Sequence, residues 1–244
     1  SYNLEKIKNI YVIGAGKASA AMAHYVENIL GTRIKEGYIV TKYGYLCKLR
    51  NIHVSEAGHP VPDENSFRAT EEILKIAEKA DDNDLVICLW SGGGSALLAD
   101  YPASSSQQEI VFFNEMLIRC GAEIREMNII RKHLSKIKGG QLLRHIWPAS
   151  GISIFLSDVI GDPLDIIASG PTVPDNSTFA DALNILEKYH LKSDIPPGLF
   201  NYLMEGKQGL QHETLKQNDE VLTKSAAILA ANNKTALQAA KIEA

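Results

Sequence analysis

The sequence has few cysteines, few aromatic residues and no long apolar run. Its three cysteines, Cys47, Cys88 and Cys120, are odd in number and widely spaced, which fits neither a disulfide framework nor a zinc site. No apolar stretch approaches the roughly 20 residues that a membrane-spanning helix needs, so we expect no membrane partner. A reducing, cytoplasmic setting is the simplest expectation for such a chain.

The chain also lacks an excess of basic charge. Its 244 residues carry a formal net charge of −4, whereas a general nucleic-acid binder usually presents a basic face. We therefore expect no nucleic-acid partner, although the loops of an acidic protein can still bind a small anion. The apolar fraction of 45% is that of a globular protein, and the length is enough for one sizeable α/β domain or two small ones.

Short apolar segments alternate with segments of helical periodicity along the chain. Strands are predicted at residues 9–13, 38–41, 51–55, 85–90, 152–156 and 226–231. Helices are predicted between them, for example at residues 107–120, where Ser106 and Glu109 suggest a capping box. This alternation predicts an α/β, Rossmann-like fold: a parallel or mostly parallel sheet with helices on both faces. Ligands of such sheets bind beyond the carboxyl ends of the strands.

A glycine-containing loop follows the first predicted strand. Gly14 and Gly16 would let the backbone approach an anion at the start of a helix, although a tight turn without a ligand is the alternative. A dinucleotide-binding loop would have a third glycine where Ser19 stands. It would also have an acidic residue at the end of the second strand, where Thr41 and Lys42 stand. Both departures count against a nicotinamide cofactor.

Lys17 lies in this loop directly after the second glycine. A phosphoryl-transfer site has a use for such an ammonium group, because a fixed cation stabilises the charge on the transferred group. The loop is not a Walker A motif, which has four residues between its glycines and a Ser or Thr after the Lys. Taken alone, Lys17 is more often a solvated lysine in the first turn of a helix.

A second loop, with three consecutive glycines, follows the buried strand predicted at residues 85–90. Such glycines are entropically costly and are typical of a turn whose backbone amides surround anionic oxygens. The flanking serines add hydroxyl donors. The alternative to an anion-binding turn is a flexible turn without a ligand. The candidate phosphate-binding residues here are Ser91, Gly92, Gly93, Gly94 and Ser95.

Aspartates cluster after the strand predicted at residues 152–156. Asp158 and Asp162 could hold Mg²⁺, which prefers one or two carboxylates together with water and phosphate oxygens. Alternatively, Asp158 could orient and deprotonate an attacking hydroxyl. Asp165 is expected to cap a helix or a turn.

A basic segment covers residues 131–138. The guanidinium of Arg131 suits bidentate binding of a carboxylate. For Lys132 and Lys136 a solvated helix face is the better interpretation, and His133 is expected to be structural.

Five segments occur together in one order and carry a resemblance to a known family. They are Ile13-Gly14-Ala15-Gly16-Lys17-Ala18-Ser19, Ser91-Gly92-Gly93-Gly94-Ser95-Ala96-Leu97, residues 131–140, residues 157–163 and Ile167-Ala168-Ser169-Gly170-Pro171-Thr172-Val173-Pro174-Asp175. Together they resemble the glycerate 2-kinase family with a MOFRL C-terminal domain, whose members have often been labelled hydroxypyruvate reductases.

The resemblance implies ATP-dependent, Mg²⁺-assisted phosphorylation of the 2-hydroxyl of D-glycerate to 2-phosphoglycerate. It implies that Lys17 and Asp158 are catalytic and places Arg131 near the substrate. Residues 1–244 would be the N-terminal domain of such a kinase, trimmed and without the C-terminal MOFRL domain. Two alternatives stay open: an NAD(P)H-dependent hydroxypyruvate reductase, and an inactive anion-binding fragment. The expected partner is glycerate, with a homodimer as a further option.

Overall fold

The protein is described from a computed structural model covering residues 3–243. The strands are β1 (Ile10–Ala15), β2 (Ile34–Lys42), β3 (Ile52–Ala57), β4 (Leu85–Ser91), β5 (Ser150–Ser157) and β6 (Ser225–Asn232). The helices are α1 (Ser19–Leu30), α2 (Glu64–Lys79), α3 (Gly94–Leu97), α4 (Gln107–Arg119), α5 (Ile124–His133), α6 (Leu142–Ile146), α7 (Phe179–Lys188), α8 (Pro197–Lys207) and α9 (Asn233–Glu243). None of the helices within residues 3–243 combines the length and the apolar character needed to cross a membrane.

The strands form one six-stranded sheet in the order β3-β2-β1-β4-β5-β6, and every neighbouring pair is parallel. The α/β, Rossmann-like prediction is thus confirmed. The chain runs outward from β1 through β2 to β3, then returns to the other side of β1 as β4. Strand order therefore reverses between β1 and β4, and ligands of such sheets bind beyond the carboxyl ends of the strands at this point.

The central strands are buried on both faces because helices cover both sides of the sheet. Tyr11, Ile13 and Ala15 pack on one side in a cluster that includes residues of α2 and α6. Ile10 and Val12 point to the other side, where α1 covers them. This alternation follows from the period of two along a strand, and it explains why β1 and β4 appear in the sequence as continuous apolar runs.

A second layer of helices lies beyond α3. α4, α5, α7 and α8 share an apolar cluster that contains Phe113, Phe179 and Leu199, all with 2% exposure or less. α4 begins at the predicted capping box, in which the Ser106 hydroxyl accepts from the Glu109 N–H and the Glu109 carboxylate accepts from the Ser106 N–H. This layer forms the far wall of the cavity described below.

β2 and α5 differ most from the prediction, and the short helix α3 was not predicted either. β2 begins four residues earlier than expected, because the charged Lys35 and Glu36 are part of it; the Glu36 carboxylate is satisfied by Lys79 of α2 at 2.9 Å. α5 was not predicted as a helix, since its charged residues hid the apolar positions that face the protein interior. Its first turn is stabilised by a capping box between Glu123 and Glu126.

Candidate active site

The loops after β1 and β4 lie side by side at the carboxyl edge of the sheet. Ala15 is paired with Trp90 in the β1–β4 register, so both strands end at the same level. The Lys17 N–H donates to the Gly92 carbonyl at 3.0 Å, and the Ala18 N–H donates to the Ser91 hydroxyl at 3.0 Å. The two loops predicted separately from the sequence are therefore one hydrogen-bonded unit.

Glycine is required at the contact points of this unit. A Cβ atom at Gly16, where φ is +139°, would lie 2.1 Å from the Ser91 hydroxyl oxygen. A Cβ atom at Gly92 would lie 1.9 Å from an oxygen of Asp158. Gly14 and Gly94 are similarly enclosed, by Leu89 and Ala168 respectively. At Gly14 and Gly16 backbone atoms leave no room for a side chain, whereas at Gly92 a side chain would displace the Asp158 carboxylate, so these glycines serve close approach rather than flexibility.

Lys17 and Asp158 meet above this turn. The Lys17 Nζ lies 3.1 Å from the Asp158 Oδ2, and their side chains are 38% and 40% exposed. The Lys17 Cε also lies 3.5 Å from where a Cβ of Gly93 would be, so the ammonium group and the three-glycine turn share one cleft. Asp158 reaches this cleft because β5 pairs with β4 and ends beside it.

His59, which the sequence analysis did not single out, also lies at this cleft. Its ring atoms Cδ2 and Nε2 both lie 2.9 Å from where a Cβ of Gly93 would be. Partial burial lowers the pKa of His59, and the positive charges of Lys17 and Lys42 lower it further, against the opposing effect of Asp158. A signal was available in the sequence, because His59 follows β3 and thus belongs to the same edge of the sheet.

A cavity of 330 Å³ extends from the cleft to the layer formed by α4 and α5. Gly92, Gly93 and Asp158 line one part of it, and its remaining wall is largely apolar. Arg131 also lines the cavity, and its Nε donates to the Asn114 Oδ1 at 2.9 Å. The structure therefore brings Arg131 into the same cavity as the glycine turn.

Asp162 is placed differently from Asp158. Its Oδ2 accepts a hydrogen bond of 2.6 Å from the Asn232 side chain, and it is not part of the cavity wall. Among residues 3–243, no group of three or more His, Cys, Asp or Glu side chains is arranged to hold a metal ion. A site of one carboxylate completed by phosphate oxygens is therefore the arrangement that Asp158 can offer. The role of Asp162 as a metal ligand stays a prediction.

The prediction of a solvated helix face is wrong for Lys132. Its side chain is only 3% exposed, and its Nζ lies 3.1 Å from Asp165 and 3.2 Å from Asp175. Asp165 thus pairs with a buried lysine. Lys136 is exposed as expected. The difference arises because α5 packs its last turn against the segment after β5, which the helix pattern alone does not reveal.

Comparison with known proteins shows the family to which the chain belongs. Residues 1–204 match the family described as a domain of unknown function, DUF4147. The chain belongs to the DUF4147 family. This DUF4147 chain is 44% identical over 209 residues to a glycerate 2-kinase of Pyrococcus horikoshii, covering 86% of the chain and 47% of that protein. It is also 42% identical over 188 residues to a D-glycerate 2-kinase of Thermotoga maritima, covering 77% of the chain and 45% of that protein.

A protein of Agrobacterium vitis named putative hydroxypyruvate reductase is 43% identical over 197 residues, covering 81% of the DUF4147 chain and 44% of that protein. Among solved structures, the glycerate kinase of Thermotoga maritima aligns with a TM-score of 0.85 at 37% identity, covering 98% of the chain and 55% of that structure. The resemblance to the glycerate 2-kinase family is thus confirmed. The DUF4147 chain spans about half the length of these relatives.

Proposed function

We propose that the protein carrying this chain is an ATP-dependent kinase that phosphorylates the 2-hydroxyl of D-glycerate to 2-phosphoglycerate. The observation that carries the proposal is the position of the Lys17 ammonium group beside the Gly92–Gly94 turn, in a cleft shared with Asp158. The names of the relatives, glycerate kinases from archaea and bacteria, support the choice of acceptor.

The glycine turn is suited to the phosphates of ATP. Within the described residues, the backbone N–H groups of Gly93 and Gly94 have no protein acceptor. Together with the hydroxyl group of Ser95, they can surround anionic oxygens. The Ser91 hydroxyl is instead buried against the Ala18 N–H and the Ser19 hydroxyl, where it holds the two loops together. Lys17 then stabilises the charge that develops on the transferred phosphoryl group, which is the main task of a phosphoryl-transfer site.

Asp158 has two possible roles that the residues around it allow. Its carboxylate could hold Mg²⁺ together with phosphate oxygens, since one or two carboxylates are enough for this ion. The ion would supply positive charge to the phosphate oxygens. Asp158 could instead accept the proton of the attacking hydroxyl. Arg131, in the same cavity, is the proposed contact for the acceptor. A cytoplasmic location and a homodimer stay predictions.

The environment of the β1 loop disfavours the reductase alternative. Ser19 stands where a dinucleotide fold has its third glycine, and its hydroxyl donates to the Leu89 carbonyl at 3.0 Å inside the protein. At the end of β2, Thr41 is buried and Lys42 follows, so neither of these residues supplies the carboxylate that a dinucleotide fold uses there for a ribose hydroxyl. The site thus offers phosphate recognition without the ribose contact of NAD.

The experiment is an assay of the whole protein with ATP, Mg²⁺ and D-glycerate. We expect ADP and 2-phosphoglycerate, identified by ³¹P NMR against authentic 2- and 3-phosphoglycerate. Formation of the 3-phosphate would leave a kinase with a different acceptor hydroxyl. Oxidation of NAD(P)H by hydroxypyruvate, with no ADP formed from glycerate, would overturn the proposal in favour of a reductase.

A further inference from the structure

Within residues 3–243, no acidic side chain forms an ion pair with Arg131. Burial lowers the pKa of its guanidinium, with no acidic neighbour acting against this effect. In the described part of the chain, Arg131 forms no ion pair, and its one side-chain hydrogen bond uses Nε with the neutral Asn114. A partly desolvated cation without a counter-ion is unfavourable, which indicates that an anion belongs beside it.

The other charged groups of the cavity wall are already paired. Asp158 lies 3.1 Å from Lys17, which stands outside the wall, and Lys138 lies 3.6 Å from Asp100. Glu115 also lines the cavity, and its carboxylate lies 3.5 Å from the guanidinium of Arg119. Of the two cations in the described cavity wall, Arg131 and Lys138, only Arg131 has no acidic partner, which suits an anion with a single negative charge.

Asn128 provides a second donor beside Arg131. The two residues are three positions apart on α5, a spacing that places side chains on the same helix face, and both line the cavity. Asn128 is only 2% exposed, and its Oδ1 accepts from the Ser169 hydroxyl at 3.3 Å. Its amide nitrogen has no protein acceptor within residues 3–243.

Both donors are held in position by neighbours. Asn114 of α4 fixes Arg131 across the helix pair, while Ser169 fixes the amide of Asn128. The Ser169 hydroxyl also lies 2.8 Å from that of Ser95, at the end of the three-glycine turn. Ser169 has a φ of +60°, an unfavourable value for a residue other than glycine. Its hydroxyl therefore connects the end of the glycine turn with Asn128.

We infer that Arg131 and Asn128 form a subsite that binds the carboxylate group of the acceptor acid, on the α5 wall of the cavity that begins at the glycine turn. The planar guanidinium and the amide N–H match the two oxygens of a carboxylate. A phosphate group would bring a second negative charge that this end of the cavity does not neutralise. The assignment of the acid as glycerate rests on the proposed function, whereas the carboxylate chemistry does not.

The subsite is tested by binding measurements without nucleotide. The purified protein is titrated by calorimetry with D-glycerate, with propionate, which keeps the carboxylate and lacks the hydroxyls, and with glycerol, which lacks the carboxylate. We expect glycerate and propionate to compete for one site and glycerol not to bind. Binding of glycerol as tightly as glycerate, or no binding of either acid at millimolar concentrations, would overturn the inference.

Two variants and one control locate the site. Asn128→Asp keeps the acceptor for Ser169 and replaces the donor by a negative charge, so acid binding should weaken about tenfold or more. Arg131→Gln should abolish stabilisation by glycerate while leaving the thermal midpoint of the unliganded protein equal or higher, because an unpaired charge is removed. Lys136→Gln, on the exposed side of the same segment, should bind as the unsubstituted protein does.

The outcomes separate this inference from the proposed function. Acid binding that depends on Arg131 and Asn128, with no phosphoryl transfer from ATP, would retain the subsite and reject the kinase. Phosphoryl transfer to glycerate with an unchanged KM for glycerate in both variants would retain the kinase and reject the subsite. Circular dichroism of each variant shows that the fold is present in either case.

Discussion

The ammonium group of Lys17 lies 3.1 Å from the carboxylate of Asp158, although 141 residues separate them in the sequence. β5 makes this contact possible, because it ends beside β4 and places Asp158 next to the glycine turn. A Cβ atom on Gly92 would collide with the same carboxylate. One acidic side chain is therefore in contact with both loops that the sequence analysis proposed for phosphate binding.

Replacing Lys17 by alanine should reduce kcat for ADP formation from ATP and glycerate by about a hundredfold or more, since one fixed charge on the transferred group is lost. The measurement is a steady-state assay of the whole protein, with Lys136→Ala as the control for loss of an exposed lysine. A kcat equal to that of the unsubstituted enzyme would show that Lys17 has no part in the transfer.

Replacing Gly92 by alanine should move Asp158 away from the turn, because the new methyl group would lie 1.9 Å from Oδ2 and 2.3 Å from Oδ1. We expect the variant to fold and to lose most of its kinase activity. The control is Gly121→Ala, where φ is +79° but no atom lies within 4 Å. That change should reduce stability by about 1 kcal/mol and leave kcat intact. Equal activity of both variants would contradict the contact.

Stability should decrease in acid because of Glu213. Partial burial works to raise the pKa of Glu213, but hydrogen bonds from His133 and from the Phe179 N–H outweigh it and lower the pKa to about 2. Because the pKa of Glu213 is lower in the folded state, its ionised carboxylate stabilises the protein at pH values above its ordinary pKa of 4.5. This contribution is lost progressively as the pH falls from about 4.5 towards about 2.

Urea unfolding measured between pH 3 and pH 6 tests whether stability decreases as the pH falls. Glu213→Gln should have a flatter dependence of the unfolding free energy on pH than the unsubstituted protein. Glu78→Gln is the control, because Glu78 forms an equivalent contact of 2.9 Å with His145 at the surface. The prediction fails when Glu213→Gln and the unsubstituted protein lose stability in parallel.

Replacing Lys132 by methionine should destabilise the protein by about 3–5 kcal/mol, because the buried carboxylate of Asp175 would lose its counter-ion. The matched control is Lys75→Met, which removes a 2.6 Å ion pair with Glu72 between two exposed side chains and should change stability by less than about 1 kcal/mol. The measurement is the denaturant concentration at the unfolding midpoint, compared between the two variants and the unsubstituted protein. Similar midpoints would show that the Lys132 pair contributes no more than a surface pair.

Much of the fold was predictable from local pattern. The six strands were located because each contains a short, mostly apolar run, although only β1 and β4 are buried along their whole length. The start of α4 was predictable because its capping box is a sequence-local interaction between Ser106 and Glu109. α5 was missed because its apolar face is interrupted by residues that line the cavity, such as Asn128 and Arg131.

By itself, the sequence determined the order of the six strands, the two glycine loops and Lys17 as a candidate, because these depend on neighbouring residues. Only the tertiary structure decided which of the basic residues are paired. Lys132 is buried against Asp175, whereas Arg131, its neighbour in sequence, faces the cavity with no counter-ion in the described residues. The physical reason is that pairing and desolvation depend on elements that approach from elsewhere in the chain, here α4 and the segment after β5, and no local pattern specifies those contacts.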